Sequence, residues 1–151
     1  MRRCSIIELE GTPVAIFTEA NVFEFSFTFD QNMRYVAGTL LTDGVFHLRW
    51  YDSNVAAYVI TTFNGIKGFK LGLDDKRLEA IQSGNSDVIF TYIRDNKLYF
   101  RMQRERYTIE RLLQSDLPDN LMIANFGMNE RYRLQWRLRY RVPGELLPWL
   151  Q

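Results

Sequence analysis

Residues 130–142 carry the side chains whose types and spacing bear most directly on chemistry. Tyr132, Leu134, Trp136, Leu138, Tyr140 and Val142 fall at alternate positions, with Arg131, Arg133, Gln135, Arg137, Arg139 and Arg141 between them. Successive side chains of a β-strand point to opposite faces, so as a strand this stretch puts five guanidinium groups on one side. At about 3.3 Å rise per residue, same-face neighbours stand roughly 7 Å apart, close to the phosphate spacing along an extended single strand. If the strand that begins at Lys97 lies beside it, Arg101 extends the row. Tyr99, of the same parity, then adds a ring for stacking.

A row of like charges costs stability unless a partner answers it. The partners whose chemistry fits are nucleic acid, another phosphate-bearing ligand, or an acidic protein face. The plainer alternative is a solvated strand whose arginine stems cover apolar surface, paired off by Glu8, Glu10, Glu24 or Asp30 on neighbouring strands. Charge is uneven along the chain in a way that favours the first reading. Residues 97–142 hold ten basic against five acidic side chains, a net of +5 concealed within a whole-chain formal charge of +1.

Other chemistries are less well served. His47 is the only histidine and Cys4 the only cysteine, which excludes an internal disulfide and a structural zinc site built on Cys and His clusters. As a general base His47 needs an orienting carboxylate and a nucleophile or water site, and no spacing in the sequence identifies either. Glu24 and Asp30, six apart on one strand, are separated by roughly 20 Å, too far for a glycosidase pair. Asp74 and Asp75 suit a helix N-terminus. Residues 66–72 mix glycine and lysine, but they lack the Gly-Lys-Ser/Thr of a strand-to-helix phosphate loop and the flanking helices of a KH-type clamp. The reading therefore assigns no catalytic residue, cofactor or metal.

The elements that position these residues are mostly strands. From the N-terminus to about Leu73 the chain alternates at period two and is punctuated by turn pairs. Val22 to Phe29 alternates four phenylalanines with Glu24, Ser26 and Thr28, which predicts that the phenylalanine face is core. Asp43-Gly44 and Asn64-Gly65 predict hairpins, with Asp52-Ser53-Asn54 as the turn between them, so residues 34–73 read as a four-stranded meander. Residues 74–84 read as a short helix ended by Gly84, and residues 108–115 as a second, ended before Pro118. Asp95-Asn96 predicts a hairpin between 87–94 and 97–103. Residues 117–127 read as a loop that packs its apolar side chains onto the core.

The chain has 151 residues, 46% hydrophobic, 25% charged and 15% aromatic. That is one domain, 1–151, with ample material for a core and no case for disorder. There is no internal repeat of 20 to 50 residues. The fold class expected is all-β or β-dominated α+β: an antiparallel meander closing toward a barrel or sandwich, with two short helices. Met1 to Glu10 reads as a strand, since Glu8 and Glu10 interrupt any signal-like apolar run. No stretch approaches the roughly 20 apolar residues of a membrane span. With no disulfide, a cytoplasmic location is the expectation. Pro143-Gly144 ends the arginine strand, and the apolar residues of 145–150 are expected to dock on the chain's own core or to form a homodimer.

The function expected is a non-enzymatic binding domain whose C-terminal arginine strand engages a polyanion or an acidic partner. Its site residues are Arg131, Arg133, Arg137, Arg139, Arg141, Arg101 and Tyr99. The alternative is a small-ligand-binding β-barrel, its cavity lined by the many aromatic rings. An enzyme that uses His47 is a third, weaker reading.

Overall fold

The computed structural model describes residues 3–8, 14–74, 87–128 and 134–141. Twelve strands run through them. They are β1 (Arg3–Glu8), β2 (Val14–Ala20), β3 (Val22–Phe29), β4 (Tyr35–Leu41), β5 (Phe46–Asp52) and β6 (Ala57–Phe63), then β7 (Gly68–Asp74), β8 (Asp87–Arg94), β9 (Lys97–Met102), β10 (Arg111–Gln114), β11 (Leu121–Met128) and β12 (Leu134–Tyr140). All pairings are antiparallel. They form a first sheet in the order β3-β4-β5-β6, a second in the order β10-β9-β8-β7, and two separate hairpins, β1-β2 and β11-β12.

The two larger sheets face each other across a core of Val36, Leu40, Phe46, Leu48 and Trp50 from the first and Phe69, Val88, Phe90 and Tyr92 from the second. Ring packing knits them together. Phe46 stacks on Phe90 at 4.5 Å and meets Phe69 edge-on at 4.6 Å. The β11-β12 hairpin covers the far side of the second sheet, where Ile93, Leu98, Leu117 and Ile123 form a smaller core with Trp136 and Leu138 against it. The result is a layered sandwich, and none of its sheets closes into a barrel.

Of the barrel or sandwich expected, closure into a barrel is overturned, and the aromatic rings fill the space that a ligand cavity would need. No α-helix occurs among the described residues; the nearest feature is a 3-10 turn, Gln103–Glu105. Of the two expected helices, the first lies beyond Asp74, outside the described residues. The second is overturned: Arg111–Gln114 is a strand, because pairing with β9 outweighs local helical preference. The loop expected at 117–127 holds β11 instead. A register shift between Ile123 and Asn125 breaks its period of two, which explains why alternation does not reveal it.

Two further expectations change. Asp43-Gly44 does turn a hairpin, with Gly44 at φ 85° and its N–H donated to Leu41 O. Asn64-Gly65, by contrast, carries the chain from the first sheet to the second, so the meander is β3 to β6 and β7 belongs elsewhere. The crossing is fixed by Ile66 N–H to Gly44 O at 3.2 Å and Lys67 N–H to Ile93 O at 3.0 Å. Asp95 and Asn96, at φ 52° and 59°, make the two-residue turn that the sequence predicts between β8 and β9.

The phenylalanine face of β3 reaches the core only at its start, where Phe23 packs against it. Phe27 and Phe29 are 49% and 45% exposed, because the register that buries Val36 and Leu40 of β4 turns Ser26 and Thr28 inward beside them. The outer face of the first sheet thus carries Phe27, Phe29, Tyr58 and Ile60, while the β1-β2 hairpin packs Phe17 against Phe25 and Tyr35. No helix of the described residues is long and apolar enough to cross a membrane.

Interlocking rings make the core intolerant of added volume. A methyl at Gly38 would stand 2.7 Å from both Phe46 Cζ and Phe69 Cε2, whereas one at Gly68 meets nothing within 4 Å. Gly38→Ala is expected to lower unfolding free energy by about 1–3 kcal/mol, and Gly68→Ala to change it by less than about 0.5 kcal/mol. Urea denaturation of both variants checks the pair.

Candidate functional site

Of the arginine row, Arg137, Arg139 and Arg141 lie among the described residues. Arg131 and Arg133 lie outside the described residues. On β12, Gln135 and Arg137 are exposed while Leu134, Trp136 and Leu138 pack inward, as alternation requires. Beyond that the phase slips. Tyr140 is 62% exposed, Arg139 is half-buried with a guanidinium N–H to Tyr140 O, and Arg141 lays its guanidinium 5.5 Å from the Phe23 ring centre. That last contact brings it near Glu24, whose carboxyl burial pushes up while Lys70 and Arg141 pull it down.

Arg101 and Tyr99 do not join this surface. They stand on the face of β9 turned toward the first sheet, opposite the face that β12 covers. Tyr99 stacks on Tyr92 at 5.6 Å, and Arg101 lies over the Phe63 ring. Arg101 donates to Tyr92 Oη (2.9 Å), Tyr107 O (2.9 Å) and Glu110 Oε2 (3.3 Å), and Arg94 donates to Glu110 Oε1 (2.7 Å). Tyr92 donates its hydroxyl to the same carboxylate. Burial pushes Glu110 up, but the bonds from Tyr92 and Arg94 more than reverse it, so it stays ionised. This is a structural clamp that pins the segment before β10.

His47 does find an oriented carboxylate. Glu19 Oε1 lies 2.6 Å from His47 Nδ1 and 2.8 Å from Arg49 Nη2. Cys4 is not an activated nucleophile beside it: burial, reinforced by the Glu19 carboxylate, pushes its thiol up and keeps it protonated.

A different group of arginines converges at one end of the sandwich. Three connections and one strand end meet there: the β3-β4 turn, the β5-β6 turn, the 3-10 turn after β9 and the first residue of β8. Together they form a cleft of about 360 Å³ whose lining includes Asp30, Asp52, Asp87, Arg34, Arg104 and Arg106. The three aspartates are buried. Asp52 Oδ2 accepts Arg106 Nε at 3.0 Å and Nη2 at 2.5 Å, and its Oδ1 accepts the Asn54 N–H at 3.0 Å. Asp87 takes the Arg104 backbone N–H at 3.0 Å on one oxygen and Arg104 Nε at 2.8 Å on the other. Asp30 accepts the N–H groups of Asn32 and Arg34 and the side-chain amide of Gln103 at 3.2 Å.

The geometry separates anchor from display. The Asp52 and Asp87 side chains are 3% and 5% exposed, whereas those of Arg106 and Arg104 are 49% and 54% exposed. Each guanidinium is thus held along its Nε edge by a buried carboxylate while its body stands in the cleft. Arg34 completes the set, its Cζ 3.4 Å from the centre of the Tyr51 ring. Backbone conformation contributes as well. Arg106 and Tyr107 both adopt left-handed φ values, 56° and 57°, at a cost of order 1–3 kcal/mol each. The burial of Tyr107, with its hydroxyl donated to Val88 O at 3.0 Å, holds them there. Among the described residues no set of three or more His, Cys, Asp or Glu side chains is placed to hold a metal ion.

Rows of like residues along one strand do not reveal this cleft, whose lining comes from separate turns. A signal exists: Asp30-Gln31-Asn32 and Asp52-Ser53-Asn54 repeat an Asp-x-Asn pattern at the β3-β4 and β5-β6 turns, and both fold into the same aspartate-to-asparagine N–H bond. No family model, curated protein or solved structure matches the chain.

The bond from Arg106 holds the Asp52 carboxyl below the usual carboxylate range against the opposing effect of burial, with the Asn54 N–H assisting. A depressed native value stabilises the fold above the unfolded value near ~3.9, and that stabilisation is lost as pH falls through the native value. Asp52→Asn is expected to be less stable at pH 7 and to show a shallower loss of stability on acidification below about pH 4. Urea unfolding at half-unit pH intervals measures both.

Proposed function

We propose that this chain is a non-enzymatic binding domain whose cleft arginines engage a phosphate-bearing polyanion, with nucleic acid as the first ligand to test. One observation carries the reading: Arg104 and Arg106 are fixed on buried aspartates in the same cleft into which Arg34 projects from its tyrosine. Guanidinium groups already held in place lose little freedom on binding, and their planar donor forks match phosphate oxygens. Arg106 Nη1 and the Arg34 guanidinium carry no hydrogen bond among the described residues, so donors remain for a ligand.

This reading keeps the expected chemistry and moves its centre from β12 to the loop end. Arg137 is the exposed β12 arginine among the described residues, whereas the cleft gathers three arginines within one lining. The aromatic-cavity alternative loses its support because Phe46, Phe63, Phe69, Phe90 and Tyr92 are packed against one another between the sheets.

Fluorescence anisotropy of labelled single-stranded RNA and duplex DNA across a salt series tests the proposal. Affinity is expected to fall as salt rises, and Arg34→Ala, which breaks no ion pair, to reduce the log–log salt slope by about one. Arg106→Lys, which keeps a cation beside Asp52 but loses the fork, is expected to weaken binding, while Arg137→Ala matches wild type. Absence of binding to either nucleic acid at low salt overturns the reading, and binding lost equally in Arg137→Ala returns the site to β12.

A further inference from the structure

A second concavity lies on the opposite side of the second sheet from the main core. It measures about 490 Å³ and is lined by Leu98, Leu113 and Gln114 on one wall and by every residue from Leu134 to Leu138 on the other. The run on β12 is informative. Side chains of a strand alternate between faces, so a depression in one face touches every second residue; one that touches five in succession runs along the strand's edge. Leu113 and Gln114, consecutive on β10, make the same point about the facing wall.

Sheet order agrees. β10 is the terminal strand of the second sheet, and β12 pairs with β11 on one side, so among the described residues the groove lies between two strand edges. β10 is short and interrupted by a register shift between Leu112 and Gln114, which disqualifies it as a template. β12 spans seven residues and alternates without a break from Leu134 to Leu138.

From this we infer that the groove accepts an extended peptide segment of a partner protein, which adds as a third strand to the edge of β12 that no described strand pairs. The chemistry of the walls specifies its sequence pattern. Side chains on the inner face of an added strand would meet Leu98, Leu113, Trp136 and Leu138, so they must be apolar. Those on the outer face lie beside Arg137, which is exposed and has no carboxylate partner among the described residues, so they must be acidic. The occupant is an alternating apolar and acidic strand, bound by main-chain hydrogen bonds for affinity and by these two sets of contacts for specificity. The site is distinct from the loop-end cleft, shares none of its lining residues, and stands or falls independently of the nucleic-acid reading.

The test uses a labelled peptide of alternating valine and glutamate, its valine–lysine counterpart, and a glutamate peptide of the same composition with the valines in one block. Binding is followed by anisotropy, and the contact by hydrogen exchange of backbone amides in residues 134–138. The alternating glutamate peptide is expected to bind and to slow exchange at every second amide of β12, as pairing on one edge requires. Arg137→Glu is expected to weaken it at least tenfold and to bind the lysine peptide in its place, an exchange of preference that a merely damaged fold cannot produce. Arg34→Ala is expected to leave peptide binding unchanged. Unaltered exchange on β12 at saturating peptide overturns the inference, as does equal binding of the block peptide or an Arg137→Glu variant that keeps its preference for glutamate.

Discussion

Burial of β8 on both faces is the constraint on which the rest of this molecule depends. Seven of its eight residues are buried. Val88, Phe90 and Tyr92 face the first sheet, while Ile89, Thr91 and Ile93 face the β11-β12 hairpin. A strand in that position must satisfy its polar groups internally. Thr91 does so by donating to Tyr99 O at 2.9 Å and accepting the Trp136 indole N–H at 3.1 Å, which also ties the hairpin down. The two ends of the same strand organise the charged groups. Asp87 at its start fixes Arg104 in the cleft, and Arg94 at its end reaches Glu110 in the clamp. Arg101 joins the two regions through its bond to the carbonyl of Tyr107, the residue whose burial holds Arg106 in place.

The arginines consequently divide by what holds them. Arg49, Arg94 and Arg101 are committed to carboxylates within the fold. Arg104 and Arg106 are held at one edge and displayed at the other. Arg34 and Arg137 face outward without an ion pair among the described residues, and they mark the two surfaces proposed to bind partners. A formal charge near zero says nothing of this arrangement, because buried aspartates hold the cleft arginines on the sheet side while about half of each arginine side chain is exposed.

Legibility of the sequence follows physical locality. Antiparallel strands and the Asp95-Asn96 turn were readable because alternation and turn chemistry are properties of a few adjacent residues. Sheet membership was not, since Asn64-Gly65 reads as a hairpin whether the next strand returns to the same sheet or crosses to another. Burial of β3 failed for the same reason. Four phenylalanines at period two name an apolar face, but the register with β4 decided which side became core. Arg111–Gln114 lost its helical reading to pairing with β9. For the site, the β12 row was visible as spacing on one strand, whereas the cleft joins residues as far apart as Arg34 and Arg106. The repeated Asp-x-Asn turns were its sole local trace.

The central claim is that Arg104 and Arg106 are held rigid in the ligand-free protein by buried aspartates. The most direct test is NMR relaxation of the arginine Nε–Hε groups, assigned by single substitutions, with exposed Arg137 as the internal reference. Order parameters near those of rigid backbone, about 0.85, are predicted for Arg104 and Arg106, and values below about 0.6 for Arg137. If Arg104 and Arg106 are as mobile as Arg137, the aspartates do not prepare the cleft, and the account of a preorganised anion site is contradicted.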